Sequence, residues 1–305
     1  MAITRRTTMR KAFLGPWHPL VEQCWLYALA DAQRQTGVAV HHSTLVLSHH
    51  HTDVTPCEEN LPEFLRRFHR DLSCSLHELL AEEGYDGPRE LFDDRPTHLM
   101  RLMDAEAQAS HLVYERLNPV AAGLVCHPDP MPMRGIRFTD WKTGFIEVTR
   151  PPLSYFRRRL ERQRLLVTPS PLLALQFDGD IERLVYYMNQ LTEHGRRALR
   201  ATKPRPPLGA KRLRRIHPWN EPLTMQESGG KPAPTFRWGA RGLVGQQLNL
   251  ASATEVHQWR ERHGDVRIAR RDGDTSMSYP LGTYAEARLD TQGHYGDSGP
   301  ADRGV

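Results

Sequence analysis

Residues 38–55 read VAVHHSTLVLSHHHTDVT, and this stretch decides the fold class. Residues 38–47 are rich in β-branched side chains and predict a strand. Residues 49–55 predict a second strand after a tight connection, so the two strands should pair as an antiparallel hairpin.

Helical patterns flank this hairpin on both sides. Apolar residues recur at helical spacing from Pro19 to Thr36, and Gly37 ends that run. On the other side, Asn60 is a typical helix cap, and large apolar side chains recur every three or four residues from Leu61 to Leu80. The hairpin therefore lies between two amphipathic helices.

Two further strands and a third helix complete the pattern. Residues 3–7 and 98–103 predict strands, and Asp104 caps a helix that runs to Pro119. The element order is then β-α-β-β-α-β-α. We therefore expect an α+β protein, a ferredoxin-like split βαβ antiparallel sheet with helices on one face, followed by a loop-rich and helical C-terminal extension.

The C-terminal half predicts less regular structure. Prolines punctuate residues 128–152, and helices are expected at residues 180–200 and around 253–263. We predict four parts: a globular domain at 1–130, a basic proline-rich segment with a helix at 131–220, a small extension at 221–290 and a disordered tail at 291–305.

The composition is that of a globular protein, with 305 residues of which 39% are hydrophobic and 25% charged. No run approaches the roughly 18 uninterrupted apolar residues of a membrane helix, and the first twenty residues lack the apolar core of a secretory signal. The four cysteines have the spacing of neither a zinc knuckle nor a disulfide framework. We expect a cytoplasmic protein with free thiols and no membrane contact.

Positive charge is concentrated in the middle of the chain. Residues 150–220 carry 16 Lys and Arg against 5 Asp and Glu, a net charge of +11, and include Arg157-Arg158-Arg159. Residues 1–149 sum to −5 and residues 221–305 to −1. Such a segment suits a polyanion, although a solvated linker has a similar composition.

Three consecutive histidines begin the second strand of the hairpin. Because side chains alternate across a strand, His49 and His51 share one face and His50 faces the other. Two imidazoles on one face can form part of a metal site, and we then expect His50 to tolerate alanine. With His41 and His42 nearby, a surface cluster without a metal fits the same residues.

A metal needs a third ligand, and the segment LVYERLNPVAAGLV at 112–125 contains a candidate. Tyr114 and Asn118 are four residues apart and therefore adjacent on one helix face. An H-x-H motif on a strand, followed roughly sixty residues later by Y-x-x-x-N-P-V-x-A-G-L-V on a helix, resembles the single-tyrosine HUH transposases. The resemblance is strongest to the bacterial REP-associated tyrosine transposases and their insertion-sequence relatives.

Further matches extend the resemblance over roughly residues 3–150, with a C-terminal piece similar to the Pro-x-Gly-Thr-Tyr ending of the longer bacterial members. The matching segments are Thr4-Arg5-Arg6, Thr36-Gly37-Val38, Leu61-Pro62-Glu63-Phe64 and Tyr279-Pro280-Leu281-Gly282-Thr283-Tyr284.

The resemblance implies a metal-dependent endonuclease that nicks and rejoins single-stranded DNA at hairpin, REP-like sequences. In that family a tyrosine attacks a phosphodiester, leaving a 5′-phosphotyrosine and a free 3′-OH, while two histidines and a polar helix residue hold Mg²⁺ or Mn²⁺. Carried over by motif, Tyr114 is the nucleophile, and His49, His51 and Asn118 are the metal ligands. A phenol with a pKa of about 10 is a weak nucleophile at neutral pH, and a divalent ion that polarises the phosphoryl oxygens offsets this weakness.

The expected partner is single-stranded or hairpin DNA, bound by a monomer or a homodimer. The expected DNA contacts are basic residues of the first strand and of the middle segment: Arg5, Arg6, Arg196, Arg197, Arg200, Lys211, Arg212, Arg214 and Arg215.

Departures from the family pattern leave alternatives open. The family usually has Asn-His-hydrophobic-His after Met-Ser or Met-Pro. If Leu47-Ser48 takes the Met-Ser place, the pair becomes His50 and Thr52 and one ligand is lost. The alternative function is therefore a catalytically inactive, domesticated DNA-binding relative. Imidazoles also favour softer ions than Mg²⁺, so a zinc hydrolase or metal-storage surface is a third interpretation, although no His-Glu-x-x-His motif supports it.

Overall fold

The computed structural model describes residues 1–57, 59–87, 90–94, 96–202, 205–219, 236–240 and 242–280. Contacts divide the chain into two units, Met1–Asn249 and Leu250–Val305. Residues 131–220, which the sequence set apart by composition, lie in the same unit as residues 1–130. The tail predicted at 291–305 and the Leu281–Tyr284 part of the C-terminal motif lie outside the described residues.

A five-stranded sheet forms the centre of the first unit. Its strands are β1 (Ala2–Arg6), β2 (Ala39–Val46), β3 (His49–Thr55), β4 (His98–Leu102) and, later in the chain, β7 (Phe236–Gly239). The spatial order is β2-β3-β1-β4-β7, in which the first four strands are antiparallel to their neighbours and β7 runs parallel to β4. The order of the four antiparallel strands is that of the split βαβ sheet, so the predicted α+β fold class is confirmed. The fifth strand was not predicted.

The predicted hairpin is present, and its register positions the histidines. Leu47 and Ser48 form the turn between β2 and β3, and His51 lies opposite Thr44 on β2 and Thr4 on β1. Because β3 is hydrogen-bonded on both sides, alternation assigns each of its side chains to a defined face. His49 and His51 lie on one face and His50 on the other.

Two long helices cover the face that carries His50. Helix α1 (Val21–Thr36) ends at Gly37, whose φ of 73° allows its N–H to bond to the Gln33 carbonyl at 2.8 Å. Helix α2 (Leu61–Glu82) packs against α1 and buries a stripe that includes Phe64, Phe68 and Leu72. Each fully buried side chain of this size contributes about 1.5–3 kcal/mol, which makes this stripe a principal source of stability.

A third helix lies across the opposite face of the sheet, whereas the sequence pattern placed the helices on one face. Helix α3 (Ala105–Ala121) begins as predicted at Asp104, whose carboxylate accepts the Ala107 N–H at 2.6 Å. It ends two residues beyond the predicted Pro119, because a proline in the last turn removes only one hydrogen bond. His42 on β2 and His51 on β3 contact α3 through Glu115 and Asn118.

Regular structure continues through the segment that composition described as loop-rich. A hairpin of β5 (Phe145–Thr149) and β6 (Arg162–Leu166) packs against α1, and α6 (Ile181–Ala201), predicted from the sequence, packs against α3. The remaining α-helices of the described residues are α4 (Asp140–Thr143), α5 (Pro171–Gln176), α7 (Ala210–Leu213) and α8 (Gly242–Arg271), the last longer than the helix predicted around 253–263. Short 3₁₀ helices lie at Thr8–Arg10 and Ser154–Phe156.

An ion-pair network ties the middle of the chain to α1 and α2. Arg159 donates to Asp31 at 2.8 Å and to both carboxylate oxygens of Asp71, and the Tyr155 hydroxyl donates to Asp71 at 2.7 Å. Asp71 is 1% exposed. Arg159 therefore neutralises buried carboxylates, although it belongs to a run of three arginines that the charge count assigned to the basic segment.

Candidate functional site

The face of the sheet beneath α3 brings together the four side chains that the two motifs singled out. His51 Nε2 lies 3.0 Å from Asn118 Nδ2, and the Asn118 side chain is also close enough to His49 to influence its pKa. The rings of His49 and His51 are 5.0 Å apart between centroids. Asn118 and the two imidazoles are thus close enough together that one ion could contact all three side chains.

The hydrogen bonds of His51 indicate which ring nitrogen carries its lone pair. Nε2 faces the amide nitrogen of Asn118, which can only donate, so Nε2 is the acceptor. Nδ1 lies 3.0 Å from Thr4 Oγ1 and donates its proton there. This assignment is inferred from the hydrogen-bond partners. It makes Nε2, the ring nitrogen beside Asn118, the one whose lone pair could bind a metal ion.

Both histidines are neutral at neutral pH. Burial, and then the charge of Arg6, lowers the pKa of His49 to about 4. Burial, followed by the neighbouring His49, holds the pKa of His51 well below its ordinary value. A neutral imidazole is the form that binds a metal ion, so no proton has to be displaced.

Tyr114 lies beside these groups but faces solvent. Its side chain is 53% exposed, and its ring is 5.8 Å from those of His51 and His111. The hydroxyl forms no hydrogen bond within the described part of the chain. One helical turn separates it from Asn118, so the exposed phenol and the buried Asn118 side chain lie on the same face of α3.

His50 occupies a different environment on the other face of β3. Its Nε2 lies 3.0 Å from His69 Nε2 on α2, and its Nδ1 lies 3.1 Å from Thr52 Oγ1. It is fully buried and contacts Phe68 and Phe92. The alternative pair, His50 and Thr52, therefore points away from Tyr114 and Asn118. An alanine at His50 would leave a cavity and remove two hydrogen bonds. The structure therefore argues against the expectation that His50 tolerates alanine.

A second polar cluster adjoins His51 and was not found from the sequence. Asp53 on β3 and His111 and Glu115 on α3 offer ligand atoms within 4.8 Å of one another and could hold a metal ion. Burial, followed by the charge of nearby Asp53, raises the pKa of Glu115 well above its ordinary value. Two local patterns could have indicated this cluster. Strand alternation places Asp53 on the same face as His51, and a spacing of four residues places His111 and Glu115 on one face of α3.

The basic residues expected to bind DNA have several different environments. Arg6 is exposed and lies opposite His49 in the sheet. Arg5 is half-buried, donates to Thr97 Oγ1 at 3.0 Å and stacks over the Phe92 ring. Arg196 and Arg197 on α6 both pair with Glu193, at 2.7 and 2.8 Å, and Arg200 is partly exposed near the end of that helix.

A cluster of exposed cations comes directly after a segment that is hydrogen-bonded to the chain just beyond α3. Leu208 and Gly209 donate their N–H groups to the carbonyls of Gly123 and Leu124, just after α3, at 3.0 and 2.9 Å. Helix α7 begins at the next residue, and four exposed cations lie on it and on the turn that follows. This α7 basic cluster consists of Lys211, Arg212, Arg214 and Arg215.

Comparison with protein-family models, with curated proteins and with solved structures found no match to this chain. None of the helices among the described residues combines the length and the hydropathy needed to cross a membrane.

Proposed function

We propose that this protein is a metal-dependent, transposase-like endonuclease that nicks and rejoins single-stranded DNA at hairpin sequences through Tyr114. The observation that carries the proposal is the convergence of Tyr114 and Asn118 from α3 with His49 and His51 from β3. These residues come from segments more than fifty positions apart, and their types are those of the two motifs that resemble the HUH transposases.

The donor set fits a divalent ion. His49 and His51 are neutral, their rings are 5.0 Å apart and Asn118 contacts His51 Nε2; a 180° rotation of the Asn118 amide turns its oxygen toward this nitrogen. Two imidazoles and one amide oxygen would hold Mg²⁺ or Mn²⁺, and imidazole nitrogen favours Mn²⁺ of the two. When bound, the ion supplies Lewis-acid polarisation of the phosphoryl oxygens.

The protein's own residues account for the other parts of the reaction. The Tyr114 oxygen forms a bond to phosphorus while the bond from phosphorus to the 3′ oxygen breaks. The phenol proton leaves to solvent, and the released 3′ oxygen takes up a proton to become a 3′-OH. Attack by a 3′-OH on the phosphotyrosine reverses the step, so rejoining requires no ATP.

The α7 basic cluster supports DNA as the substrate. Its anchor at Gly123 and Leu124 follows directly on the helix that carries Tyr114, so the DNA backbone can contact these cations and the tyrosine in one complex. Exposed lysines and arginines of this kind bind phosphates regardless of sequence. They contribute affinity, and recognition of a particular hairpin requires further contacts.

The test uses single-stranded hairpins from the genomic neighbourhood of the gene, labelled at either the 5′ or the 3′ end. Incubation with wild-type protein and Mn²⁺ should attach only the 3′-labelled strand covalently to the protein, because the tyrosine keeps the 5′ phosphate of the downstream fragment. The 5′-labelled strand should be released with a free 3′-OH, and EDTA should abolish both products. Hairpin binding without any covalent product under Mg²⁺ or Mn²⁺ would contradict the proposal and favour the inactive DNA-binding relative.

A further inference from the structure

A second set of potential metal ligands lies on the side of His51 that faces away from Asn118. Glu115 Oε1 is 3.8 Å from His51 Nδ1 and 3.2 Å from His111 Nε2. Asp53, two residues after His51 on the same strand face, completes a group whose ligand atoms lie within 4.8 Å of one another. None of these three residues occupies a specified position of the motifs that resemble the transposases.

The geometry of the group is close to that of a tetrahedral metal site. Ligand atoms at about 2.1 Å from a zinc ion are about 3.4 Å apart. The pair of His111 Nε2 and Glu115 Oε1 is already near this separation. Asp53 lies within 4.8 Å of both other ligands, so an approach of at most about 1.4 Å completes three of four coordination positions. Water can fill the fourth, since His111 retains 13% side-chain exposure.

A second observation indicates that a partner belongs in this group. Asp53 is 1% exposed, and its Oδ2 atom has no hydrogen-bond partner among the described residues. Two carboxylates, Asp53 and Glu115, are thus buried side by side, an arrangement that a cation compensates directly. His42 Nδ1 donates to Glu115 Oε2 at 3.0 Å, which is the orienting contact commonly found around metal-binding carboxylates.

We propose that Asp53, His111 and Glu115 form a second divalent-cation site, separate from the one at His49, His51 and Asn118, and that its ion is Zn²⁺. Zinc binds both imidazole nitrogen and carboxylate oxygen, and at a given set of nitrogen and oxygen ligands it ranks above manganese in affinity. The ion fixes Glu115, and Glu115 faces Nδ1 of His51. The second site therefore adjoins a ligand of the first, 3.8 Å from His51 Nδ1, whose proton is donated to Thr4.

The test measures zinc bound per chain by elemental analysis after equilibration with Zn²⁺ and gel filtration, together with the thermal shift that Zn²⁺ produces. Wild-type protein should retain one equivalent for each site, and therefore two per chain. Asp53→Asn keeps the size of the side chain and should lose one equivalent, and His111→Gln, at the exposed edge of the group, should lose the same one. His49→Ala should lose only the other equivalent.

The variants distinguish this inference from the proposed function. If Asp53→Asn and His111→Gln, both folded by circular dichroism, retain as much zinc as wild type, the second site is refuted. If those variants lose an equivalent and His49→Ala loses none, the second site stands and the metal site of the proposed nuclease is refuted. If wild-type protein retains no zinc, the inference fails, and the labelled-hairpin assay with Mn²⁺ still decides the proposed function.

Discussion

Replacing Tyr114 with phenylalanine separates the chemistry of the proposed nuclease from its fold and its DNA binding. The substitution removes one oxygen atom from a side chain that is 53% exposed. The ring, with its contacts to His51 and His111, is retained. We therefore expect the loss of a single function in an otherwise unchanged protein.

The magnitudes follow from the surroundings of the hydroxyl. Because it is exposed and has no hydrogen-bond partner in the described residues, its removal should change the free energy of unfolding by less than about 0.5 kcal/mol. For a unit the size of Met1–Asn249, this corresponds to a melting shift of at most about 2 °C. Affinity for a hairpin should change by no more than about tenfold, the value of one neutral hydrogen bond. Covalent product should fall to background, because phenylalanine has no nucleophilic atom.

The assay compares Tyr114→Phe with Tyr186→Phe as a matched control. Tyr186 is 67% exposed on α6, so the same oxygen is removed from another solvent-facing tyrosine in the same unit. Denaturing gels with 3′-labelled hairpins and Mn²⁺ report the covalent product, fluorescence anisotropy reports binding, and thermal unfolding reports stability. Tyr186→Phe should match wild type in all three measurements.

Two results would refute the assignment. A Tyr114→Phe protein that still forms the covalent product would show that another group is the nucleophile. Loss of the product in Tyr186→Phe, with Tyr114→Phe unaffected, would place the chemistry on α6.

Three further predictions concern metal binding, stability and DNA affinity. His51→Ala should abolish the Mn²⁺-dependent thermal shift, whereas His50→Ala should keep it. His50→Ala should also lower the free energy of unfolding by about 2–4 kcal/mol, because packing is lost and the buried His69 imidazole loses its partner. Equal Mn²⁺ responses of the two variants would contradict the assignment of His51 and His50 to opposite faces. Arg159→Met should destabilise the protein by about 2–4 kcal/mol in chemical denaturation, because Asp31 and Asp71 are left buried without their cation. The exposed neighbour Arg158, replaced by methionine, should have an effect below about 0.5 kcal/mol, and similar losses for the two variants would disprove the network. Alanines throughout the α7 basic cluster should reduce the slope of log affinity against log salt by up to about 3 for a single-stranded substrate, measured by anisotropy; an unchanged slope would show that these cations do not contact the DNA.

Local sequence patterns predicted most of the fold of residues 1–130. The helices α1 and α2 each follow from apolar spacing over more than fifteen residues, and Gly37 marks the end of α1. Helix α3 follows from the cap residue Asp104 at its start and Pro119 near its end. The same reasoning missed β5 and β6, which are five residues each and contain several exposed charged side chains. Such short strands have too weak a pattern to identify before their partner is known.

The sequence by itself determined which side chains share a face: alternation pairs His49 with His51, and helical spacing pairs Tyr114 with Asn118. Only the tertiary structure decided that these two faces meet, because α3 could have packed on either side of the sheet. It also decided that Asp53 joins His111 and Glu115, and that Arg159 is an internal counter-ion. Each of these contacts joins residues far apart in the chain. Their proximity depends on strand order and helix packing, which local periodicity does not encode.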